Sequence, residues 1–149
     1  MQSLLIEYDA FIRSIKVNTN TAHALLLGAG ASVSSNIPSA TDCIWEWKKD
    51  IFVTKNPQNA DRFANHRDEQ VRQYIQRWLD NEGSFPALDD VTEYSYYAQK
   101  AYPIGGDRQS YFESIIEGKK PAVGYQMMCL LAQSEIIRSV WTTNFDNLA

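Results

Sequence analysis

Cysteine is nearly missing from this chain: Cys43 and Cys129 are the only two, far apart in sequence and outside any Cys-x-x-Cys pair. No pair is available to seed a zinc site or a dithiol redox centre, so both thiols are expected as reduced core residues of a cytoplasmic protein. Positive charge is also short. The 14 Lys and Arg face 18 Asp and Glu, a net charge of -4, so no broad basic field attracts phosphate polymers or anionic lipid. Nucleic acid and membrane are therefore not expected as direct partners. Long hydrophobic runs are absent as well: the longest, residues 24–31, holds two glycines and falls far short of the roughly 20 residues a membrane span needs. The start, Met1-Gln2-Ser3-Leu4-Leu5-Ile6-Glu7-Tyr8-Asp9, lacks the cationic opening of a secretory signal and turns acidic early. A soluble protein without repeats or low-complexity tracts is expected.

What is present suits one globular domain, or a large piece of one. The 149 residues are 44% hydrophobic and 12% aromatic, enough to bury roughly 70% of the unfolded surface. Leu4, Leu5, Tyr8, Phe11, Ile12 and Ile15 recur at three- and four-residue steps and predict an amphipathic first helix. After a polar break, Ala24-Leu25-Leu26-Leu27 is short, wholly apolar and stopped by Gly28, the pattern of a strand buried on both faces of a parallel sheet. Ser39-Ala40-Thr41-Asp42 has capping-box spacing ahead of Cys43-Ile44-Trp45-Glu46-Trp47, which predicts a helix. Residues 54–69 are polar and read as a surface insertion, and Val71, Tyr74, Ile75, Trp78 and Leu79 restore helical spacing up to Gly83. Helical segments follow around 91–101, 107–117 and 121–133, with Gly105-Gly106 and Gly118 as punctuation and Pro121 in a first turn. Ser139-Val140-Trp141-Thr142-Thr143 is β-branched and aromatic, hence a second strand. No linker divides the chain, and two strands are too few for a finished sheet.

Two segments carry chemistry. Gly28-Ala29-Gly30-Ala31-Ser32 after a strand is an arrangement for phosphate, because glycines admit a ligand close to the backbone and a helix N-terminus offers unpaired N–H groups. The alternative is a tight strand-to-helix turn with no ligand. The full dinucleotide fingerprint is not met, since Val33 stands where a third glycine belongs and Asp50 falls in a segment read as helix. A Walker loop is excluded, because no Gly-Lys-Ser or Gly-Lys-Thr follows. The second segment, Thr142-Thr143-Asn144-Phe145-Asp146, ends a strand where open α/β sheets place ligand contacts. Its alternative is a side-chain-to-backbone turn made by Asn and Asp.

The longer string Leu26-Leu27-Gly28-Ala29-Gly30-Ala31-Ser32, continuing to Ile37-Pro38-Ser39, resembles the first motif of the Sir2 family, a Gly-Ala-Gly-x-Ser loop followed by Gly-Ile-Pro. Asn36 replaces the last glycine, a substitution that suits a left-handed backbone position. Thr142-Thr143-Asn144-Phe145-Asp146 is similar to the family's Thr-Gln-Asn-x-Asp motif, and more closely to the Thr-Thr-Asn-Phe-Asp form of Sir2-like NADases in prokaryotic antiphage systems. The resemblance implies an α/β fold, a Rossmann-like parallel sheet with a mostly helical insertion at 54–135, incomplete in this chain. Residues 1–149 would be the N-terminal portion of one Sir2-like domain.

It implies NAD as substrate, no metal, and hydrolysis to nicotinamide and ADP-ribose by an antiphage effector. Contacts to NAD would come from Gly28, Ala29, Gly30, Ser32, Pro38, Thr143, Asn144 and Asp146. Asn144 would be the catalytic amide at the nicotinamide ribose, Asp146 would lie near the carboxamide, and Ser32 and Ala29 near the phosphates and ribose. An amide suits such a role because it donates and accepts without changing charge. Ser39-Ala40-Thr41 stands where the deacetylases have Asp-Phe-Arg, and the zinc-ribbon cysteine pairs are missing, so deacylation ranks last. A non-catalytic NAD or ADP-ribose sensor is the second reading. The family's downstream histidine has no match in His23 or His66, which read as exposed or capping residues. The chain is thus expected to be inactive alone, completed by the rest of a longer chain or a partner subunit, with homo-oligomers also in prospect. Trp45, Trp47, Trp78 and Trp141 are expected in the core, Tyr94, Tyr96 and Tyr97 facing inward, and the charges of 61–77 on a solvated face.

Overall fold

The computed structural model describes residues 6–18, 21–146, 148 and 149. Leu4 and Leu5, expected on the first helix's stripe, lie outside them. In chain order the elements are α1 (Tyr8–Val17), β1 (His23–Leu27), a 3-10 segment (Ala29–Ser35), α2 (Ala40–Lys55), a short 3-10 turn (Pro57–Asn59), α3 (Glu69–Glu82), α4 (Glu93–Ala101), α5 (Gly105–Ile116), α6 (Val123–Gln133) and β2 (Ile137–Thr142). The architecture is mixed α/β, mostly helical, with a two-stranded parallel sheet. No helix among the described residues is long and apolar enough to cross a membrane.

Two compact units divide the chain. One takes residues up to 35 and 120–149; the other is Asn36–Lys119. The helical unit thus lies earlier at both ends than the insertion expected at 54–135. The reason is packing: α2 supplies much of the helical core, whereas α6 packs against β2.

In the sheet unit, Leu25 pairs with Val140, Leu26 with Trp141 and Leu27 with Thr142. Paired residues of parallel strands share a face, and faces alternate along each strand. Leu25 and Leu27 line a cleft with Gly124, Tyr125 and Met128 of α6. On the opposite face Leu26 is 76% and Trp141 68% exposed. Burial on both faces and a core position for Trp141 are therefore corrected: the apolar composition of β1 marks both faces, but α6 covers one. Cys129 is also exposed instead of buried, because α6 is apolar nearly all round and its sequence does not say which side meets the sheet. Pro121 stands before the Ala122 N-cap of α6, outside the helix.

The helical unit follows local signals closely. Ser39 caps α2 with its hydroxyl accepting from the Asp42 amide, and the Asp42 side chain accepts in return from the Ser39 backbone. Asp68 caps α3, and Gly83 ends it at φ 66°, the left-handed conformation that relieves a helix terminus. Gly105 and Gly106 open the first turn of α5 instead of breaking the chain, and Gly118 takes the left-handed position after it. Trp47 is fully buried, with the Tyr94, Tyr111 and Phe112 rings at 5.2, 5.7 and 6.2 Å. Phe52 meets Phe63 at 5.0 Å and Trp78 at 5.3 Å. Phe63 thus pins the polar stretch 54–69 to the core, since burying an aromatic ring there offsets the stretch's lack of other apolar side chains.

Sequence patterning did not reveal one feature of this core. Lys48 is fully buried and donates to Gln76 Oε1 at 2.9 Å and to Glu93, with its ammonium over the Trp45 ring at 4.5 Å. Arg72, on the segment expected to be solvated, is partly buried and lies over Trp45 at 5.2 Å. Such charges persist in a core because each is paired or stacked, which compensates for part of the water it loses.

Candidate functional site

Both motif segments belong to the sheet unit, and the fold brings them together. β1 delivers Gly28 at its carboxyl end, and β2, running parallel beside it, delivers Thr143 and Asn144 at the same end. The Thr143 amide extends the ladder by donating to Leu27 O at 3.1 Å. Beyond it the Asn144 amide nitrogen donates to Thr142 Oγ1 at 3.0 Å, which turns the chain out of the strand.

The Asn144 side chain closes the gap between the motifs. Its Nδ2 donates to Gly28 O at 3.1 Å and to Ser32 Oγ at 3.0 Å, the first across 116 positions of sequence. A backbone carbonyl can only accept, so the nitrogen of the amide is the atom that faces Gly28. Both amide hydrogens are then in use, and Oδ1 is the atom left with no partner among the described residues. Gly28 O accepts a second bond from Ala31 N at 2.9 Å, which sets the first turn of the loop.

The helix start expected after the glycines is that of a 3-10 segment. Ala29–Ser35 is a 3-10 segment of seven residues, with three residues per turn, so side chains three apart eclipse. Ser32 and Ser35 are that pair, and both are buried. Ser35 Oγ accepts from the Ala122 amide at 3.0 Å and pins the start of α6. Ser32 Oγ meets Asn144, Tyr125 OH at 2.8 Å and Asp146 Oδ2. Asp146 is itself buried, and its Oδ1 accepts from the Leu148 amide at 3.0 Å. Ser32 was expected beside a ligand's phosphates; the structure makes it the junction that holds the strand end to the loop. Tyr125 and Ser35 were not singled out from the sequence, because a lone Tyr or Ser on an apolar or small-residue segment has no spacing that marks it.

Gly28 and Gly30 are exposed, neither has a positive φ, and a Cβ at either would meet nothing within 4 Å. The protein's own packing and backbone thus place no demand for glycine there. The space beside the main chain at both positions is open. Ala29, between them, is exposed too. A cleft of about 200 Å³ is lined by Leu25, Leu27, Ala31, Gly124, Tyr125 and Met128.

Pro38 belongs to the helical unit, just ahead of the Ser39 cap. Asn36 before it takes φ 60°, the left-handed position for which the glycine replacement was argued. His23 begins β1, and its Nδ1 donates to Ile136 O at 3.2 Å, a bond within the strand pairing. His66 lies in the helical unit, where burial lowers its pKa and holds the ring toward its neutral form. Burial pushes the Cys43 thiol up, which keeps it protonated and unreactive. No group of three or more His, Cys, Asp or Glu among the described residues is placed to hold a metal ion.

Scanned against models of known protein families, the chain matches none, and a search of curated proteins finds no match either.

Proposed function

We propose that this chain carries the glycine-loop and asparagine part of an NAD site of the Sir2-like kind, in a Rossmann-like domain, and that the complete protein hydrolyses NAD to nicotinamide and ADP-ribose as a cytoplasmic antiphage effector of a prokaryote. The observation that carries this reading is the doubly bonded Asn144 amide: it ties the Gly-Ala-Gly loop to the Asn-Phe-Asp strand end and keeps one acceptor, Oδ1, for a ligand. Open space over Gly28 and Gly30 supports the approach of a dinucleotide to the main chain.

In this reading NAD lies over the loop, with the N–H groups of Ala29 and Gly30, which precede the first 3-10 hydrogen bond, available to its phosphates. Asn144 Oδ1 accepts from a ribose hydroxyl or from the attacking water. The bond between C1′ and the nicotinamide nitrogen breaks, its electron pair leaves with nicotinamide, and water oxygen bonds to C1′ with release of one proton. The sugar becomes cation-like at the transition state, and Asp146, held by Ser32 and the Leu148 amide, would lie on the nicotinamide side of it, near the carboxamide. The rest of a longer chain, a partner subunit or a second copy would supply the remaining groups.

A second reading, a non-catalytic NAD or ADP-ribose sensor, is favoured by the same hydrogen-bond count. Ser32 and Asp146 are committed to internal bonds, and the described part of the cluster holds no unengaged acid or base. Incubating the complete gene product with NAD and following nicotinamide separates the two. Release without an acylated peptide is expected. In Asn144→Ala the rate should fall roughly 10²- to 10³-fold, while stability changes by less than about 1 kcal/mol because Gly28 O and Ser32 keep other partners. Tight NAD binding with no release would establish the sensor instead.

A further inference from the structure

We propose that Tyr125 is a positioning residue of this site: its phenol orders the Ser32 hydroxyl, and through it the Asn144 amide. The inference rests on the functional reading above for its consequence, but its structural content stands apart from it.

A serine hydroxyl has one hydrogen to donate and two lone pairs to accept with. Ser32 Oγ has three partners: Asp146 Oδ2, Asn144 Nδ2 and Tyr125 OH. The Asp146 carboxylate only accepts, so it takes the Ser32 proton. The Asn144 NH2 only donates, so it occupies one lone pair. One lone pair remains, and Tyr125 fills it as donor. Every hydrogen-bond direction in the cluster is thereby determined, and Ser32 has no capacity left for a ligand or a stray water. The rotation of the hydroxyl is locked, the amide of Asn144 keeps its nitrogen turned inward, and Oδ1 is the group presented to whatever binds.

The four residues come from three places: Ser32 from the loop, Asn144 and Asp146 from the end of β2, Tyr125 from α6, 93 positions from Ser32. Tyr125 is buried, and its ring lines the cleft that also touches Leu25, Leu27 and Met128. The ring therefore packs and the hydroxyl positions, which makes the two roles separable. Tyr125→Phe keeps the ring and removes the donor; Tyr125→Ala removes both.

The decisive measurement is made on the full protein in two parts. First, in ¹⁵N NMR, the Asn144 side-chain NH2 pair, identified by its loss in Asn144→Ala, should be resolved and slow to exchange. Tyr125→Phe should shift it and speed its exchange about tenfold, and Ser32→Ala should do so at least as strongly. An unmoved pair in Tyr125→Phe overturns the proposal, whatever the protein does with NAD. Second, with NAD, Tyr125→Phe should lower kcat about tenfold with KM within twofold, and should have no further effect in a Ser32→Ala background, since it acts through Ser32. An equal loss from Tyr125→Phe in both backgrounds also overturns it. Wild-type protein that releases no nicotinamide would remove the hydrolase reading while leaving the NMR result to judge Tyr125. Should Ser32→Ala fail to fold, the Tyr125→Phe spectrum alone decides.

Discussion

The two units of this chain use their side chains in opposite ways. The helical unit gathers its aromatics inward, around a fully buried Trp47, and even its buried cation, Lys48, is enclosed by rings and a carboxylate. The sheet unit leaves Leu26 and Trp141 largely in solvent, and most of what it buries among its described residues is polar: Ser32, Ser35 and Asp146, beside Tyr125 and Ile137. Apolar burial scales with area and tolerates many arrangements, whereas each buried polar atom requires a particular partner. The helical unit is thus built for cohesion, and the sheet unit holds a small number of side chains in defined orientations.

The sharpest test of that contrast is Lys48→Met. It leaves Glu93 buried without its counter-charge and should cost about 3–5 kcal/mol, read by urea unfolding. Adding Glu93→Gln removes the stranded charge but keeps an acceptor for the Asp89 amide, so the double variant should recover at least about 2 kcal/mol. A double variant no better than the single one would show that Lys48 acts by packing alone.

A smaller effect is expected at the start of α2. Ser39→Ala should cost about 1 kcal/mol at neutral pH. Burial by itself would raise the Asp42 carboxyl, but hydrogen bonds from the Ser39 hydroxyl and backbone, aided by Arg67 and His66, outweigh it and hold the group below its usual 3.8. A lowered folded-state value means stability that is fully present above 3.8 and lost as pH falls through the folded value. The gap between wild type and Ser39→Ala should therefore narrow in acid, and a gap independent of pH would show that the carboxylate is not involved.

The smallest effect belongs to the sheet unit. Trp141→Ser should change stability by less than about 0.5 kcal/mol, since the ring is 68% exposed. A loss of several kcal/mol on the intact protein would mean that this face is covered there, and would erase the contrast between the units.

Much of the fold was legible because its signals are local. The capping box at Ser39 and Asp42, the left-handed Gly83 and Asn36, and the turn after β2 each depend on residues within a few positions. The stripe periodicity of α3 likewise marks Ile75 and Leu79 as core. Less legible was what covers each face. Cys129 and Trp141 sit on segments apolar enough to be buried on any side, and only the position of the neighbouring element decides which side is. The 3-10 form of the loop was missed because Ala-Gly-Ala-Ser-Val-Ser-Ser has no side-chain stripe that separates three from 3.6 residues per turn.

By itself, the sequence determined where β1 ends, the capping box that opens α2 and the glycine that stops α3. Tertiary structure alone decided what Ser32 does. A hydroxyl can donate, accept or meet a phosphate, and its role follows from its neighbours, here Tyr125 and Asp146, 93 and 114 positions away. Local sequence sets backbone conformation through short-range sterics and capping; the direction of a buried hydrogen bond is set by groups that only folding brings within 3 Å.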